Sequence, residues 1–414
     1  MVNDKIYLLV IGNGFDLQCG LKTSFASYLN KVLETARKEI DDIDKTFSDL
    51  KQFNDIDLGV VSTDKNNKNY FIGQIRNHIS IELYGKTTTN YFDSFYDNLK
   101  NFDKSFFKMY FIFLKFNNKE SRNWADVEKE LSTLITTGFF VDLFNTICII
   151  KDAITNYSED DIEKKIGSNK SVLIYVYLLI NICGYKIKEN SANYFINFLM
   201  GELNKFEHNL GTYIEDQINS KKEYYVSESN KLINKFNIVN DFNVLNFNYT
   251  NPFKYKDYNT KTVSNIHGNT DNPIIGVDTS AIKKASNDNV NDLNFNEFTK
   301  TYRIMSNTEN HKDILPNPEN IDTIYFYGHS LSHADYSYFQ SIFDYYNLYD
   351  SKLNLVFYYS VYAPERESQI VNQDINNIWN LINEYGESMG NAKGKNLLHK
   401  LNLENRIKIK EVEI

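Results

Sequence analysis

The sequence predicts an α/β fold in which one mostly parallel sheet carries a large helical insertion. Residues 6–11 form a short apolar run that stops at glycines, as a strand buried on both faces does. From about residue 30 to residue 240, apolar side chains recur at spacings of three and four, which is typical of helices. Short apolar or β-rich runs return after residue 240. A single sheet formed by the two ends of the chain is the simplest architecture that unites these segments.

The later runs define the rest of the predicted sheet. The predicted strands are residues 242–247, 262–266, 274–277, 324–327, 353–359 and 407–414. We therefore predict a Rossmann-like α/β domain from residues 1–30 plus 240–414, and a mainly helical insertion from residues 31–239. Apolar residues at helical spacing from Phe25 to Ala36 predict a helix soon after the first strand. Residues 278–318, rich in Asn, Asp, Ser and Thr, predict a loop without regular structure or a lid.

Composition narrows the class of protein. The chain has 414 residues, of which 42% are hydrophobic and only 5 are proline, and this excludes collagen-like and largely disordered proteins. A net charge of −9 disfavours nonspecific binding to nucleic acid. The uncharged run at residues 171–185 is shorter than the roughly 20 residues that span a membrane. Cys19, Cys148 and Cys183 form no CxxC pair, and we find no export signal. We expect a cytoplasmic protein with no membrane partner.

The strongest local motif is a glycine turn that follows the first strand and precedes a helix. It consists of Gly12, Asn13, Gly14, Phe15 and Asp16. Backbone amides in such a turn can hold a phosphate. The dinucleotide fingerprint is incomplete because Leu17 stands where a third glycine belongs, and a P-loop fails because Leu21 separates Gly20 from Lys22. The alternative is a tight turn that needs glycine for a positive φ.

Polar side chains follow two of the later predicted strands. Asn248 and Thr250 come after residues 242–247, and His267 comes after residues 262–266. The carboxyl ends of parallel strands meet at one edge of a sheet, where open α/β folds bind ligands. These side chains are therefore predicted to approach the glycine turn. A turn-forming amide and an ordinary loop histidine are the alternatives.

A third polar loop follows the strand at residues 324–327. It contains Gly328, His329, Ser330, His333 and Asp335. Ser330 and Asp335 are predicted to reach ligand hydroxyls. Three alternatives are open: a nucleophile elbow around Ser330, in which Ser332 replaces the last glycine; a metal site built on the two histidines and Asp335; and a structural turn.

A fourth motif, at residues 124–128, contains Trp124, Asp126 and Glu128 in a predicted helix. Glu128 lies four residues after Trp124, so it stays near the apolar face of that helix. It is a candidate to enter the ligand crevice, and a solvated helix edge is the alternative.

Taken together, these motifs resemble the AbiH family of bacterial phage abortive-infection proteins. The resemblance extends from residue 8 to residue 335 and includes the glycine turn, residues 124–128, residues 246–250, His267-Gly268 and Gly328-His329-Ser330. It implies a role in antiviral defence and phage resistance.

The series is also distantly similar to sirtuin-like NAD-binding domains, some of which hydrolyse NAD. That similarity implies that Gly12, Gly14 and Asp16 hold the pyrophosphate, that Asn248 meets the nicotinamide ribose and that His267 is the catalytic base. In those domains an aspartate often follows an Asn-Tyr pair, and here Thr250 stands at that position, after Asn248 and Tyr249. The zinc-binding cysteines of deacetylating sirtuins are absent, which argues against deacylation.

These resemblances imply an abortive-infection effector that binds NAD as its substrate and hydrolyses the nicotinamide glycosidic bond without a metal. Asn248 and His267 are the predicted catalytic pair. The predicted NAD-binding residues are Gly12, Asn13, Gly14, Phe15, Asp16, Thr250, Gly328, Ser330 and Asp335. The open alternatives are a noncatalytic nucleotide-binding defence protein, a nuclease that binds Mg²⁺ through Asp16, Glu128 and Asp335, and a serine hydrolase using Ser330 with His399. Expected partners are a nucleotide and, in addition, either a second copy of the chain or a phage-derived trigger.

Overall fold

The computed structural model describes residues 5–39, 105–117, 127–156, 172, 175–176, 178–238, 241–256, 258–279, 282, 293–306, 315–332, 335–361 and 363–413. The chain divides into two compact units. The first contains Met1–Ser24, His208–Asp278 and Lys300–Ile414, and the second contains Phe25–Glu207 and Thr279–Thr299. The domain boundaries predicted at residues 30 and 240 stay a prediction.

One parallel sheet organises the first unit. Within the described residues its strands are β1 (Ile6–Ile11), β2 (Phe242–Asn246), β3 (Thr260–Asn265), β4 (Ile321–Tyr327), β5 (Asn354–Tyr359) and β6 (Ile407–Glu411). They lie in the order β3-β2-β1-β4-β5-β6, and every neighbouring pair is parallel. This is the strand order of doubly wound dinucleotide-binding folds. The predicted α/β fold with a parallel sheet and a helical insertion is confirmed.

Helices cover both faces of the sheet. In the first unit they are α1 (Asn13–Gln18), α7 (Lys222–Lys235), α8 (Lys300–Ser306), α9 (Tyr336–Tyr345), α10 (Glu367–Ser388), α11 (Ala392–Lys395) and α12 (Leu397–Leu403). β1 is an apolar run because it lies at the centre of the sheet, and β2 is buried along its whole length although it contains Asn243 and Asn246. One face, which includes Leu8, Val10 and Phe326, packs against α9, α10 and α12. Each large apolar side chain buried there contributes roughly 1.5–3 kcal/mol.

The second unit is helical in its described residues. It contains α2 (Phe25–Glu39), α3 (Phe106–Asn117), α4 (Val127–Thr136), α5 (Phe139–Asn156) and the first part of α6 (Ala192–Ser220). The predicted helix after the glycine turn is confirmed as α2. Phe25 packs edge-to-face on Phe111 and Phe206, with ring centroids 5.1 Å and 5.9 Å away. The buried Glu202 carboxylate accepts the Phe106 N–H at 2.6 Å, which caps the start of α3.

In the described part of the chain, no single helix combines the length and the apolar composition needed to cross a membrane. Only α4 together with residues 139–152 of α5 meets those criteria, as a pair bent by 55°.

Two sequence predictions are wrong. Residues 274–277 are buried but are not a strand, because Gly268 and Pro273 pair in an isolated antiparallel bridge that turns the chain back. Their apolar side chains fill core space rather than a place in the sheet. Residues 300–306, predicted to lack regular structure, form α8, whose first residue, Lys300, is buried. A polar composition concealed this short helix.

The hydrogen bonds of Arg406 are predicted to stabilise the loops at the amino edge of the sheet. Its buried guanidinium donates to the carbonyl oxygens of Leu353 at 2.9 Å and Leu348 at 2.5 Å. We expect Arg406→Met to lower the free energy of unfolding by about 2–4 kcal/mol, because two buried carbonyls lose a charged donor. Urea unfolding measures the loss. Arg366→Met, at an exposed position, is the control, and equal stability of the two variants would contradict the role of Arg406.

Candidate functional site

The strand register brings the predicted site segments to one edge of the sheet. The last paired residues of four neighbouring strands form one row, made of Asn265, Asn246, Ile11 and Tyr327. Gly12 and Gly328 follow that row by one position, and Asn248 and His267 follow it by two. The motifs that are far apart in the sequence therefore meet at the carboxyl edge, where folds of this type bind ligands.

At this edge the glycine turn touches the loop after β4. The Gly14 N–H donates to the Gly328 carbonyl at 2.7 Å, and the Phe15 N–H donates to Gly12 O at 2.9 Å. A Cβ on Gly12 would lie 2.5 Å from the Cα of His329, and a Cβ on Gly328 would lie 2.4 Å from the Phe15 nitrogen. Both loops therefore require glycine for close backbone contact.

This contact, rather than a positive φ, explains the glycine at position 12, so the tight-turn alternative is wrong for that residue. Gly12 has a φ of −129°, so it is not in the left-handed region, and close packing is the reason for glycine there. Gly328 combines both constraints, because its φ is +68°. The amides of Gly14 and Phe15 are committed to protein carbonyls, so in this structure they do not point at a ligand.

Asn248 joins β2 to the glycine turn. Its Nδ2 donates to the Gly12 carbonyl at 3.0 Å, and its backbone N–H donates to Asn246 Oδ1 at 2.9 Å. Its Oδ1 atom is buried and has no hydrogen-bond partner. Native proteins leave few buried polar atoms unsatisfied, so this oxygen marks a position at which a ligand donor fits.

Asp16 belongs to a separate buried cluster. Its carboxylate accepts from Thr250 Oγ1 at 2.9 and 2.8 Å and from the Tyr225 hydroxyl at 2.8 Å. Burial raises the pKa of Asp16 to about 7, although both hydroxyl donors act in the opposite direction. The cluster ties the glycine turn to the segment after β2 and to α7.

His267 belongs to a second buried cluster, centred on Asp335 at the start of α9. Lys300 Nζ donates to Asp335 Oδ1 at 2.7 Å. His267 Nε2 lies 3.3 Å from the same oxygen, a long contact that lacks normal hydrogen-bond geometry. His329 Nε2 lies 3.4 Å from Asp335 Oδ2, and its Nδ1 accepts the N–H of Leu331 at 2.9 Å. Because Nδ1 accepts this bond, Nε2 is the ring nitrogen that can carry a proton toward the carboxylate.

The charges of this cluster follow from its burial. Burial lowers the pKa of His267, and the positive charge of Lys300 lowers it further, while Asp335 opposes the shift. Burial alone would raise the pKa of Asp335, but His267, His329 and Lys300 together hold it well below its ordinary value. At neutral pH the cluster thus contains an ionised Asp335 paired with Lys300, and an uncharged His267 that can accept a proton.

The two clusters lie on opposite faces of the sheet. His267 contacts the ring of Phe247, which belongs to the core that α9, α10 and α12 cover. Tyr225 belongs to α7, and Phe236 at the end of that helix packs on Tyr327 from the other face. Asn248 is the predicted site residue that reaches the backbone of the turn between them.

A cleft opens beside the second cluster at the carboxyl ends of β4 and β5. Its empty volume is about 340 Å³, part of it open to solvent. Its lining includes Gly328, His329, Tyr358, Tyr359, Asp374 and Asn377. Burial raises the pKa of the Asp374 carboxyl at its rim.

The remaining predicted site residues have other surroundings. Asn13 Oδ1 accepts from Thr23 Oγ1 at 2.6 Å, and Phe15 is fully buried against Tyr327. Ser330 is exposed on its loop. Glu128 lies on α4, half-buried, in the second unit. The positions of residues 124–126 and of His333 lie outside the described residues.

The geometry bears on two of the alternative chemistries. Asp16 and Asp335 occupy opposite faces of the sheet, and Lys300 already pairs with Asp335. Across the residues that the structure describes, no group of three His, Cys, Asp or Glu side chains is placed to hold a metal ion. The two residues proposed for the serine-hydrolase alternative are both exposed. Ser330 lies on the loop after β4, and His399 lies on α12.

Sequence reasoning missed Lys300 and Tyr225. Lys300 lies in a polar segment without apolar periodicity, and Tyr225 is one of 30 tyrosines in the chain. Neither carries a local signal, because each reaches its carboxylate only through the tertiary fold.

Gly328→Ala tests the close contact of the two loops. Gly390 provides a matched control, because its φ is +62° and a Cβ there would meet nothing within 4 Å. We expect Gly390→Ala to cost about 1–2 kcal/mol for the left-handed backbone alone. Gly328→Ala should cost at least about 2 kcal/mol more, because its Cβ overlaps the Phe15 amide. Urea unfolding compares them, and equal losses would contradict the contact.

Asp16 gives the protein a pH-dependent stability. The folded carboxyl holds its proton up to about pH 7, against an ordinary pKa of 3.8, so unfolding releases a proton between these values. Stability from this group is therefore full below about pH 4 and decreases as the pH rises toward 7, by up to about 4 kcal/mol. We expect Asp16→Asn to remove that dependence.

The measurement is urea unfolding of wild type and Asp16→Asn at several pH values from 4 to 8. Asp271→Asn, at an exposed position, is the control. The difference between Asp16→Asn and wild type should shift in favour of the variant as the pH rises, and a difference that is constant with pH would refute the assignment.

The chain was compared with known protein families, curated proteins and solved structures. A family model described as bacteriophage abortive infection AbiH matches residues 8–359, which is most of the chain. No curated protein and no solved structure matches the chain. The resemblance drawn from the motifs is confirmed for AbiH, and the likeness to sirtuin-like domains stays a prediction. The match implies a role in abortive-infection defence against phage. The chain therefore belongs to the AbiH family of bacteriophage abortive-infection proteins.

Proposed function

We propose that this AbiH protein is an effector that binds NAD at the carboxyl edge of its sheet and hydrolyses the nicotinamide glycosidic bond. One observation carries the proposal. Asn248 Oδ1 is buried without a hydrogen-bond partner, and His267 Nε2 is buried with only a long 3.3 Å approach to Asp335 Oδ1; the two residues belong to the segments that follow the adjacent strands β2 and β3. Buried polar atoms with unused capacity at the ligand edge of a parallel sheet favour a bound substrate over a purely structural role.

The strand order supports a dinucleotide as that substrate. In sheets of the order 3-2-1-4-5-6, nucleotides bind across the carboxyl ends, where the strand order reverses between the first and fourth strands. In this protein the reversal lies between β1 and β4, beside Gly12 and Gly328. The cleft lined by Gly328 and His329 opens at this same edge, beside the reversal, although Asn248 and His267 do not line it.

For hydrolysis of this bond, the protein mainly has to position the substrate and a water molecule and to supply a base. Nicotinamide in NAD is a cationic pyridinium, so it leaves as a neutral molecule and needs no acid. The C1′–N bond breaks, a water oxygen bonds to C1′ of the ribosyl cation, and the water proton passes to the His267 imidazole and then to solvent. Asn248 orients the water or a ribose hydroxyl through Oδ1. An uncharged His267 suits the base role, because a protonated imidazole could not accept the proton.

The other predicted NAD-binding residues receive different roles in this proposal. Asp16 and Thr250 bond to each other and hold the glycine turn in place. Gly14 and Phe15 use their amides within the protein. Ser330, exposed on the loop after β4, is available to a substrate hydroxyl. A phage-derived trigger and self-association are proposed as the means of activation.

The test is nicotinamide release from NAD, measured in cells during phage infection and with purified protein. We expect His267→Ala to slow turnover by about 10²- to 10⁴-fold with little change in NAD affinity, because it removes a general base. Asn248→Ala should also reduce turnover. His208→Ala and Asn376→Ala change exposed residues of the same types and should act as wild type.

Nicotinamide release that is equal in wild type and His267→Ala would contradict the proposed catalytic role. NAD binding without any nicotinamide release during infection would instead favour a noncatalytic nucleotide-binding effector.

A further inference from the structure

We propose that Lys300 is a positioning residue that keeps His267 available as a base by occupying the carboxylate oxygen that His267 faces. The inference rests on the proposed function for its catalytic meaning, but its electrostatic part can be tested without a substrate. Lys300 belongs to none of the motifs that the sequence presents.

The geometry is a competition for one oxygen atom. Lys300 Nζ is 2.7 Å from Asp335 Oδ1, and His267 Nε2 is 3.3 Å from that same atom. The lysine makes the short, well-formed hydrogen bond, and the histidine makes only a long contact that lacks normal hydrogen-bond geometry. Charge-assisted bonds of this length are the stronger kind, so the ammonium already compensates the carboxylate charge that would otherwise favour an imidazolium.

Burial strengthens the electrostatic interactions among these three side chains. The side chains of Lys300, His267 and Asp335 are 3%, 7% and 9% exposed, so water screens their charges weakly. A buried carboxylate beside a histidine ordinarily favours the protonated ring, which would be useless as a base. With the Lys300 ammonium present, the pair is already neutral overall. A proton on His267 would then add an uncompensated buried charge, which is costly.

The groups that face His267 come from several elements. They are Lys300 at the start of α8, Asp335 at the start of α9, His329 after β4 and the rings of Phe247 and Tyr338. His329 bonds the Leu331 amide and approaches the other oxygen of Asp335. It therefore does not compete for the atom that Lys300 and His267 share.

The deciding measurement is an NMR titration of His267 in the full-length protein with carbon-13-labelled histidine. The resonance is assigned by its loss in His267→Gln, among 7 histidines. We expect Lys300→Met to shift the His267 titration to higher pH, because Asp335 Oδ1 becomes free to pair with an imidazolium. Lys300→Arg, which keeps the charge, should titrate as wild type. Adding Asp335→Asn to Lys300→Met should cancel the upward shift.

Activity gives a second readout. The rate of nicotinamide release by Lys300→Met at pH 7 should fall toward the roughly 10²- to 10⁴-fold loss expected of His267→Ala, and it should recover at alkaline pH. A merely structural lysine would lower the rate equally at every pH. If Lys300→Met does not fold, Lys300→Gln retains a hydrogen-bond donor to Asp335 without the charge and permits the same titration.

The outcomes separate the inference from the proposed function. A His267 titration that is unchanged in a folded Lys300→Met or Lys300→Gln protein overturns the positioning role, whatever the activity. An upward shift of the His267 titration that Asp335→Asn cancels supports the positioning role of Lys300. That support holds even if neither wild type nor the variants cleave NAD, because a lack of cleavage contradicts only the proposed substrate.

Discussion

The backbone contact between the glycine turn and the loop after β4 is the constraint on which the candidate site depends. The Gly14 amide and the Gly328 carbonyl meet at 2.7 Å, and neither loop has room for a Cβ there. Because the contact holds His329 directly over Gly12, it also fixes the direction from which that histidine approaches Asp335. Helix α1 begins in the same turn, so both buried polar clusters take their positions from one close approach of main chain to main chain.

The cluster around Asp335 shows how a single buried carboxylate can serve several partners without losing its charge. One oxygen bonds Lys300 and faces His267, and the other faces His329. Taking an ion pair out of water is expensive, and the attraction between the ions offsets that cost only when the geometry is close and further donors are present. Here the ammonium supplies the compensating charge and the two rings complete the surroundings. The lysine therefore decides whether a histidine beside this carboxylate is charged.

Much of the fold could be predicted from the sequence, because its strands are apolar or β-rich runs bounded by glycines and polar residues. The meeting of Gly12, Asn248 and His267 at one edge also followed from the rule that parallel strands end together. What could not be predicted was the reason for glycine in the turn, since close packing and positive φ leave the same residue in the sequence. Lys300 was hidden for a related reason: it lies in a polar stretch with no periodicity, and its partner is 35 residues away.

The contrast between satisfied and unsatisfied polar atoms separates the two clusters by role. Both oxygens of Asp16 accept hydroxyl donors, so that carboxyl is complete within the protein and stabilises the turn. Asn248 Oδ1 and His267 Nε2 are buried and incomplete. A buried polar atom left unsatisfied costs about 1–3 kcal/mol, so these two atoms lower the stability of the free protein. A substrate or water that brings O–H donors to these atoms recovers that energy. The proposed binding and catalysis therefore belong at the ends of β2 and β3, and the Asp16 cluster on the opposite face is proposed to hold that edge in place.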